Sequence, residues 1–285
     1  MDITLRPAKA GDAQQCGRIC YEAFRTLANH HRFPPDFPSV EFGEQVLSML
    51  ISHPGFYGVV AESDGKIVGS NFLDERSPIA GVGPITIDPE VQNRSIGRKL
   101  MLDVMDRAAQ KGFPGVRLHQ ATYHNRSLGL YSKLGFEIRE LVSNVQGPAF
   151  EAQIEGSRVR PAAESDLEVC NRLCRWVHGH DRGGELQDAI GQGTAKVVER
   201  SGRITGYTSM LGFLGHSVGE TNEDLKALIG SGTEFMGPGL LLPSRNGELL
   251  RWCMEHGLRI NQPLTLMTLG LYNEPAGPYL TSVLY

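Results

Sequence analysis

The stretch from Ile85 to Lys111 constrains this chain more than any other. Ile85-Thr86-Ile87 is β-branched throughout and reads as a short buried strand. Pro89 ends it, because a strand in mid-sheet cannot lose a ladder donor. A polar turn follows. Then Ile96, Leu100, Met101, Val104, Met105 and Ala108 recur at helical spacing. Gly112 stands where a helix ends in a left-handed residue. A strand that feeds a tight loop and then a helix exposes backbone N–H groups at the positive end of the helix dipole. That geometry binds phosphate. Arg94, Arg98 and Lys99 add positive charge at the end where the dipole alone favours acids, so an anionic ligand would compensate. The residues alone equally allow an ordinary connection with solvated basic side chains.

Gln92-Asn93-Arg94-Ser95-Ile96-Gly97 resembles the Gln/Arg-x-x-Gly-x-Gly/Ala acyl-CoA loop of the GNAT superfamily of N-acetyltransferases. Ser95 stands where that loop usually has Gly, and a left-handed Ser costs on the order of 1 kcal/mol. A second segment strengthens the match. The residues from Asn125 through Tyr131 to Gly135-Phe136 resemble the GNAT segment Asn-x-x-Ala-x-x-x-Tyr-x-x-x-Gly-Phe. A strand, Val116 to Thr122, separates the two. The resemblance covers about residues 1 to 145 and implies a mixed α/β fold with flanking helices.

The resemblance also implies roles. The backbone of Ile85, Thr86 and Ile87 would pair with the pantetheine arm of acetyl-CoA. Gln92, Asn93, Arg94, Ser95, Ile96, Gly97, Arg98 and Lys99 would hold the pyrophosphate. Asn125, also read as a helix cap, and Ser127 would bind the cofactor or the backbone beside it. Tyr131 would protonate the leaving thiolate. From the residues alone, Tyr131 is also a good core tyrosine, since it shares a helix face with Leu128 and Leu134. The Pro- and aromatic-rich run from Leu27 to Pro38 reads as an ordered loop rather than helix. By resemblance it covers the acceptor, with His30, Phe33 and Phe37 as its wall. Asp74 and Glu75, after the second strand of an Asp-Gly hairpin, are candidates for a base or an amine anchor, or for a solvated turn.

Composition narrows the partners. The net charge of −4 advertises no basic face for nucleic acid and suits a cationic amine, small or peptidic. No apolar run approaches the ~20 residues of a membrane span. Met1-Asp2-Ile3-Thr4-Leu5 opens no signal peptide, and five cysteines suggest no disulfide framework, so a cytoplasmic monomer or homodimer is expected. Cys16 and Cys20 lie on the apolar stripe of a helix and read as core thiols. His178, His180 and Asp181 read as a solvated loop. No metal site is expected at either place.

The chain also repeats. Arg160-Pro161-Ala162, Asp166, Cys170 and Cys174 each stand 154 positions after Arg6-Pro7-Ala8, Asp12, Cys16 and Cys20. The expected organisation is a GNAT domain over 1–145, a linker over 146–156 and a degenerate GNAT-like copy over 157–285. Aligning Pro243–Gly257 with Pro89–Gly112 shortens the loop-plus-helix from 23 positions to 14. The second copy is therefore expected to have lost CoA. The final run, Leu280 to Tyr285, reads as a strand that completes a sheet, across the boundary between copies or at an edge. The reading that follows is an acetyl-CoA-dependent N-acetyltransferase. The alternative is a CoA-binding sensor or interaction module without turnover.

Overall fold

The computed structural model describes residues 2–92 and 94–285. Strand β1 (Thr4–Pro7) pairs antiparallel with β2 (Phe56–Ser63), and β2 with β3 (Lys66–Asp74). The turn between β2 and β3 is Asp64-Gly65, at φ 50° and 74°, as a tight hairpin turn requires. On the far edge of β3 lie β4 (Ala80–Val82) and β5 (Thr86–Ile87). Strand β4 runs parallel to β6 (Gly115–Ala121), but only where Ala80 and Gly81 meet Val116 and Arg117. Strand β5 pairs with β3 alone. The sheet is therefore open between β5 and the second half of β6.

Side-chain alternation decides which helices cover which face. Val59, Leu73, Val116 and Leu118 pack with Leu100, Met101 and Val104 of α3 (Ile96–Gln110) and with Tyr131 of α4 (Asn125–Lys133). Val60 and Phe72 point the other way. They meet Cys16 and Cys20 of α1 (Ala13–His31) and Leu47 and Leu50 of α2 (Val40–Ser52). Helix α1 runs five residues further than a loop beginning at Leu27 allows. Nothing from Leu27 to His31 breaks a helix, Pro34 restricts only Phe33 before it, and Arg32 at φ 60° makes the stop.

The two copies exchange strands. The long sheet has the order β1-β2-β3-β4-β6-β13-β7-β12. Its last members are β7 (Glu137–Gln146), β12 (Leu240–Pro243) and β13 (Arg259–Gly270). Thus β13 of the second copy lies between β6 and β7 of the first, and β7 lies between β12 and β13 of the second. The boundary at 146–156 divides the copies along the chain but not in space, and β7 itself takes Gln146.

The second sheet has the order β14-β11-β10-β9-β8. Its strands are β8 (Ser157–Pro161), β9 (Lys196–Arg200), β10 (Arg203–Thr208), β11 (Ser217–Gly219) and β14 (Tyr279–Leu280). Helices α5 (Leu167–His178), α6 (Gly183–Gly191), α7 (Asn222–Gly230) and α8 (Gly247–Glu255) complete this copy. The repeat is physical. Arg6 binds Asp12 at 2.6 Å and Glu62 at 2.6 Å, and Arg160 binds Asp166 at 2.6 Å and Glu199 at 2.7 Å. In both copies the first strand is tied in this way to the start of the first helix.

Topology corrects the alignment inside the second copy. The series β11-α7-β12-α8-β13 repeats β4/β5-α3-β6-α4-β7. Helix α8 therefore answers to α4, and α7 answers to α3. Strand order decides this equivalence, and the spacing of Pro243 and Gly257 does not. The counterpart of the long loop before α3 is only Glu220-Thr221. The end of the chain differs too. Tyr279-Leu280 pairs with β11, Thr281 bridges to Leu241, and the chain then turns so that Leu284 joins the core under α1 and α2.

Candidate active site

The opening between β5 and β6 ends at the start of α3. Asp88 closes β5 by accepting the Glu90 N–H at 3.0 Å. The Gln92 side chain then folds back, donating to the Ile87 carbonyl at 3.3 Å and accepting from Arg126 of α4. Asn93 lies outside the described residues. Ser95 is left-handed, at φ 60°, and its side chain caps nothing. Its carbonyl accepts the Lys99 N–H at 3.1 Å, which leaves the N–H groups of Ile96, Gly97 and Arg98 without partners inside the helix. The first turn of α3 holds no acid. Lys99 Nζ reaches the Ile3 carbonyl at 3.4 Å. A Cβ on Gly97 would lie 3.2 Å from Ile87 Cδ1 and 3.6 Å from Leu130 Cδ2, so the helix start rests against both β5 and α4. The loop thus offers backbone donors and net positive charge in a shape that suits a diphosphate.

Helix α4 begins differently from the expectation. His124 occupies the N-cap position and Asn125 is the first helical residue, exposed. The turn closes early because the His124 N–H already bonds the Ala121 carbonyl at 2.8 Å. Counting back from Tyr131 agrees: the GNAT pattern places its Asn seven residues earlier, which is His124. Ser127 Oγ donates to the His124 carbonyl at 3.0 Å and accepts from Gln120 at 3.1 Å, fixing this corner. Tyr131 is 6% exposed and packs near Phe136. Burial raises its pKa, so it is protonated at neutral pH. Its hydroxyl has no hydrogen-bond partner among the described residues, yet it is not one of the sealed, orphaned polar atoms.

On the opposite face the expected acceptor residues scatter. Phe33 stacks on Tyr123 with centroids 4.2 Å apart. His30 is exposed beside His31. Phe37 packs against Phe24 and Phe42, into the α1–α2 core. Asp74 binds Arg76 at 2.6 Å, and Arg76 reaches Asp188 of α6 at 2.9 Å. Glu75 binds Arg107 of α3 at 2.7 Å. Asp74 pairs in register with Gly81, where β4 and β6 are still joined, whereas the opening begins near the Ser70–Thr86 pair. Four residues of strand, roughly 13 Å, separate these places.

Sequence reasoning missed a different cluster. Gln262 of β13 donates to Asp36 at 2.5 Å and accepts from the Tyr123 hydroxyl at 2.9 Å. Burial raises the Asp36 carboxyl to about 6 against the lowering effect of Gln262. An acid inside a Pro- and Phe-rich loop was the available signal. Its partner stands 226 positions away and could not be read from the chain.

His178 and His180 also depart from expectation, for both are buried rather than solvated. His178 meets His216 at 3.1 Å and His180 meets the Tyr285 hydroxyl at 2.8 Å, while Asp181 turns outward to Arg175. Their partners come from distant segments that fold over this corner.

The fold is one lobe built twice, and in the first copy α3 starts with N–H groups that have no partner inside the helix. Residues 21–136 match the family model described as Acetyltransferase (GNAT) family. GNAT acetyltransferases use acetyl-CoA. The chain is 32% identical over 78 residues to a mycothiol acetyltransferase of Thermomonospora curvata, covering 27% of this chain and 26% of that protein. It is 35% identical over 63 residues to the mycothiol acetyltransferase of Nocardia farcinica, covering 22% and 21%. These matches span only about a quarter of the relatives' length. A candidate acetyltransferase structure from Pyrococcus horikoshii superposes with TM-score 0.75 at 16% identity, over 97% of this chain and 94% of that one. A tandem GNAT protein from the clavulanic acid biosynthesis pathway superposes with TM-score 0.57 at 14% identity, over 97% and 99%. At these identities the likeness is one of fold, and it extends through both copies.

Proposed function

We propose that the protein is an acetyl-CoA-dependent N-acetyltransferase acting on a primary amine, and that only its first copy carries the chemistry. One contrast carries this reading. Among the described residues no strand fills the first copy's opening, which ends at an acid-free helix start, whereas the corresponding opening of the second copy is filled. There, β14 pairs with β11 through Ser217–Leu280 and Val218–Tyr279, and Thr281 bridges to β12. The chain itself takes the place where a pantetheine arm would pair. The start of α7 is also closed. Asp224 accepts from Thr221 N and Oγ, both at 2.9 Å, and Glu223 adds a second acid. An anion there would meet carboxylates instead of free donors.

In the first copy, the main chain of Ile85, Thr86 and Ile87 offers a strand edge to the pantetheine arm. The main chain and side chains from Gln92 to Lys99 hold the pyrophosphate, with Ser127 and the His124–Asn125 turn beside them. The thioester supplies the acetyl group to a neutral amine. Tyr131, kept protonated by burial, donates its phenolic proton to the leaving sulfur. The five cysteines are free and buried, which suits a reducing cytoplasm. Among the described residues no helix is long and apolar enough to cross a membrane.

Titration calorimetry with acetyl-CoA, followed by thiol-release assays over a panel of amines, tests the reading. The Tyr131→Phe variant is expected to lower kcat by roughly 10²–10⁴-fold, the usual share of a general acid, while binding acetyl-CoA as the parent does. An unchanged kcat would make Tyr131 a core residue. Tight acetyl-CoA binding without product from any amine would instead favour a sensor.

A further inference from the structure

We propose that the Asp36 carboxylate docks and deprotonates the acceptor's ammonium group, held for that task by Gln262 of the second copy. The proposal rests on the acyl-transfer reading above and names its substrate class: a primary ammonium on an apolar carbon skeleton. Asp36 sits in the loop between α1 and α2, and short chains of neighbours lead from it to both walls of the opening. Cys16 of α1 lies beside Ser70, the partner of Thr86 in β5, and Cys20 one turn later lies near Asp36. Through Gln262, Asp36 is joined to Tyr123, which follows the other wall, β6. This is the sheet face opposite Tyr131, so a base here and an acid there flank the gap.

The surroundings of Asp36 suit a cationic group. Asp36 has one side-chain donor, Gln262, and no ion pair with any described residue. A half-buried carboxylate in that state gains from a positive partner. The titratable groups facing it do not compete. Burial raises the Cys20 thiol and, with Asp36 itself, the Tyr123 phenol, so both stay neutral. His31 lies beyond Tyr123, with ring centroids 5.1 Å apart. Phe33 and Tyr123 supply aromatic surface for the carbon skeleton and for cation–π attraction. In the step itself an N–H bond breaks, its electron pair stays on nitrogen, and the proton passes to an Asp36 oxygen. A carboxyl raised to about 6 is a better base for this than one at its ordinary value of 3.8.

Saturation-transfer NMR on the full chain, without acetyl-CoA, tests the docking directly. Phenethylammonium is expected to bind about tenfold or more tightly than uncharged 2-phenylethanol, and Asp36→Asn is expected to abolish that preference. Gln262→Ala removes a donor to the carboxylate, so the Asp36 carboxyl-carbon titration should move to higher pH. Equal binding of amine and alcohol, a preference that survives Asp36→Asn, or an unmoved titration in Gln262→Ala would overturn the proposal. Calorimetry with acetyl-CoA on the same samples separates this from the donor site. Asp36→Asn should bind acetyl-CoA like the parent, which also shows that it is folded. A parent protein that fails to bind acetyl-CoA would sink the acyl-transfer reading, while the ammonium result would still decide the role of Asp36.

Discussion

Residues 1–150 expressed alone are expected to be unfolded or aggregated, although they include the whole segment that matches the family. In the full chain, β7 has β13 on one side and β12 on the other, and both come from the second copy. The fragment leaves β7 with no strand neighbour at all. It also strips β6 of the partner that pairs from Gly115 to Ala121. Met267 is lost from the α3–α4 core, where it is fully buried, and Leu269 is lost beside it. A single large buried residue contributes about 2–5 kcal/mol, and a whole domain is stable by only about 5–15 kcal/mol. Losing two core side chains and three strand pairings exceeds that margin. Circular dichroism and thermal melting of the fragment check this. A cooperative melt with native acetyl-CoA binding would show that β13 is dispensable. Adding residues 157–285 in trans is expected to restore folding only in part, because the exchange must then be assembled between two chains.

The second large effect is expected at Gly97. Gly97→Glu should weaken acetyl-CoA binding by more than about a hundredfold, since bringing like charges together costs several kcal/mol. The new carboxylate would stand at the start of α3, among the N–H groups that Ser95 leaves exposed. Bulk adds to charge, because even the Cβ comes within 3.2 Å of Ile87 Cδ1. Gly97→Ala separates the two effects. The Ile87 methyl is the free end of a side chain and can give way by a few tenths of an ångström, so Ala should bind nearly as the parent does. It should also stabilise the helix, by up to about 1 kcal/mol. Calorimetry on both variants decides the matter. Normal binding by Gly97→Glu would move the anion site away from this turn.

Some of this was legible in the chain. The breaker at Pro89, the helical spacing from Ile96 and the left-handed stop at Gly112 (φ 75°) survive in the structure, because each is a short-range steric preference, whereas the expected buried strand Ile85 to Ile87 shrinks to Thr86–Ile87, with only Thr86 buried. The repeat offset was legible too, since Arg6 and Arg160 do the same work with their own acids. Local reasoning failed where equivalence depended on strand order. The Pro243–Gly257 segment follows the counterpart of β6, so its helix matches α4 and not α3. It failed again at Asp74 and Glu75, whose partners Arg76 and Arg107 draw them into ion pairs away from the opening.

By itself, the sequence determined most of the elements, the two copies and the acid-free first turn of α3, because backbone preference, amphipathic period and charge act between residues close along the chain. Only the tertiary structure decided which copy keeps an open cleft and what stands at its mouth. The exchange of β7 and β13, the filling of the second cleft by β14, and the meeting of Asp36 with Gln262 join residues far apart in sequence. Such contacts form only when long loops close around a common core, and no local propensity encodes them.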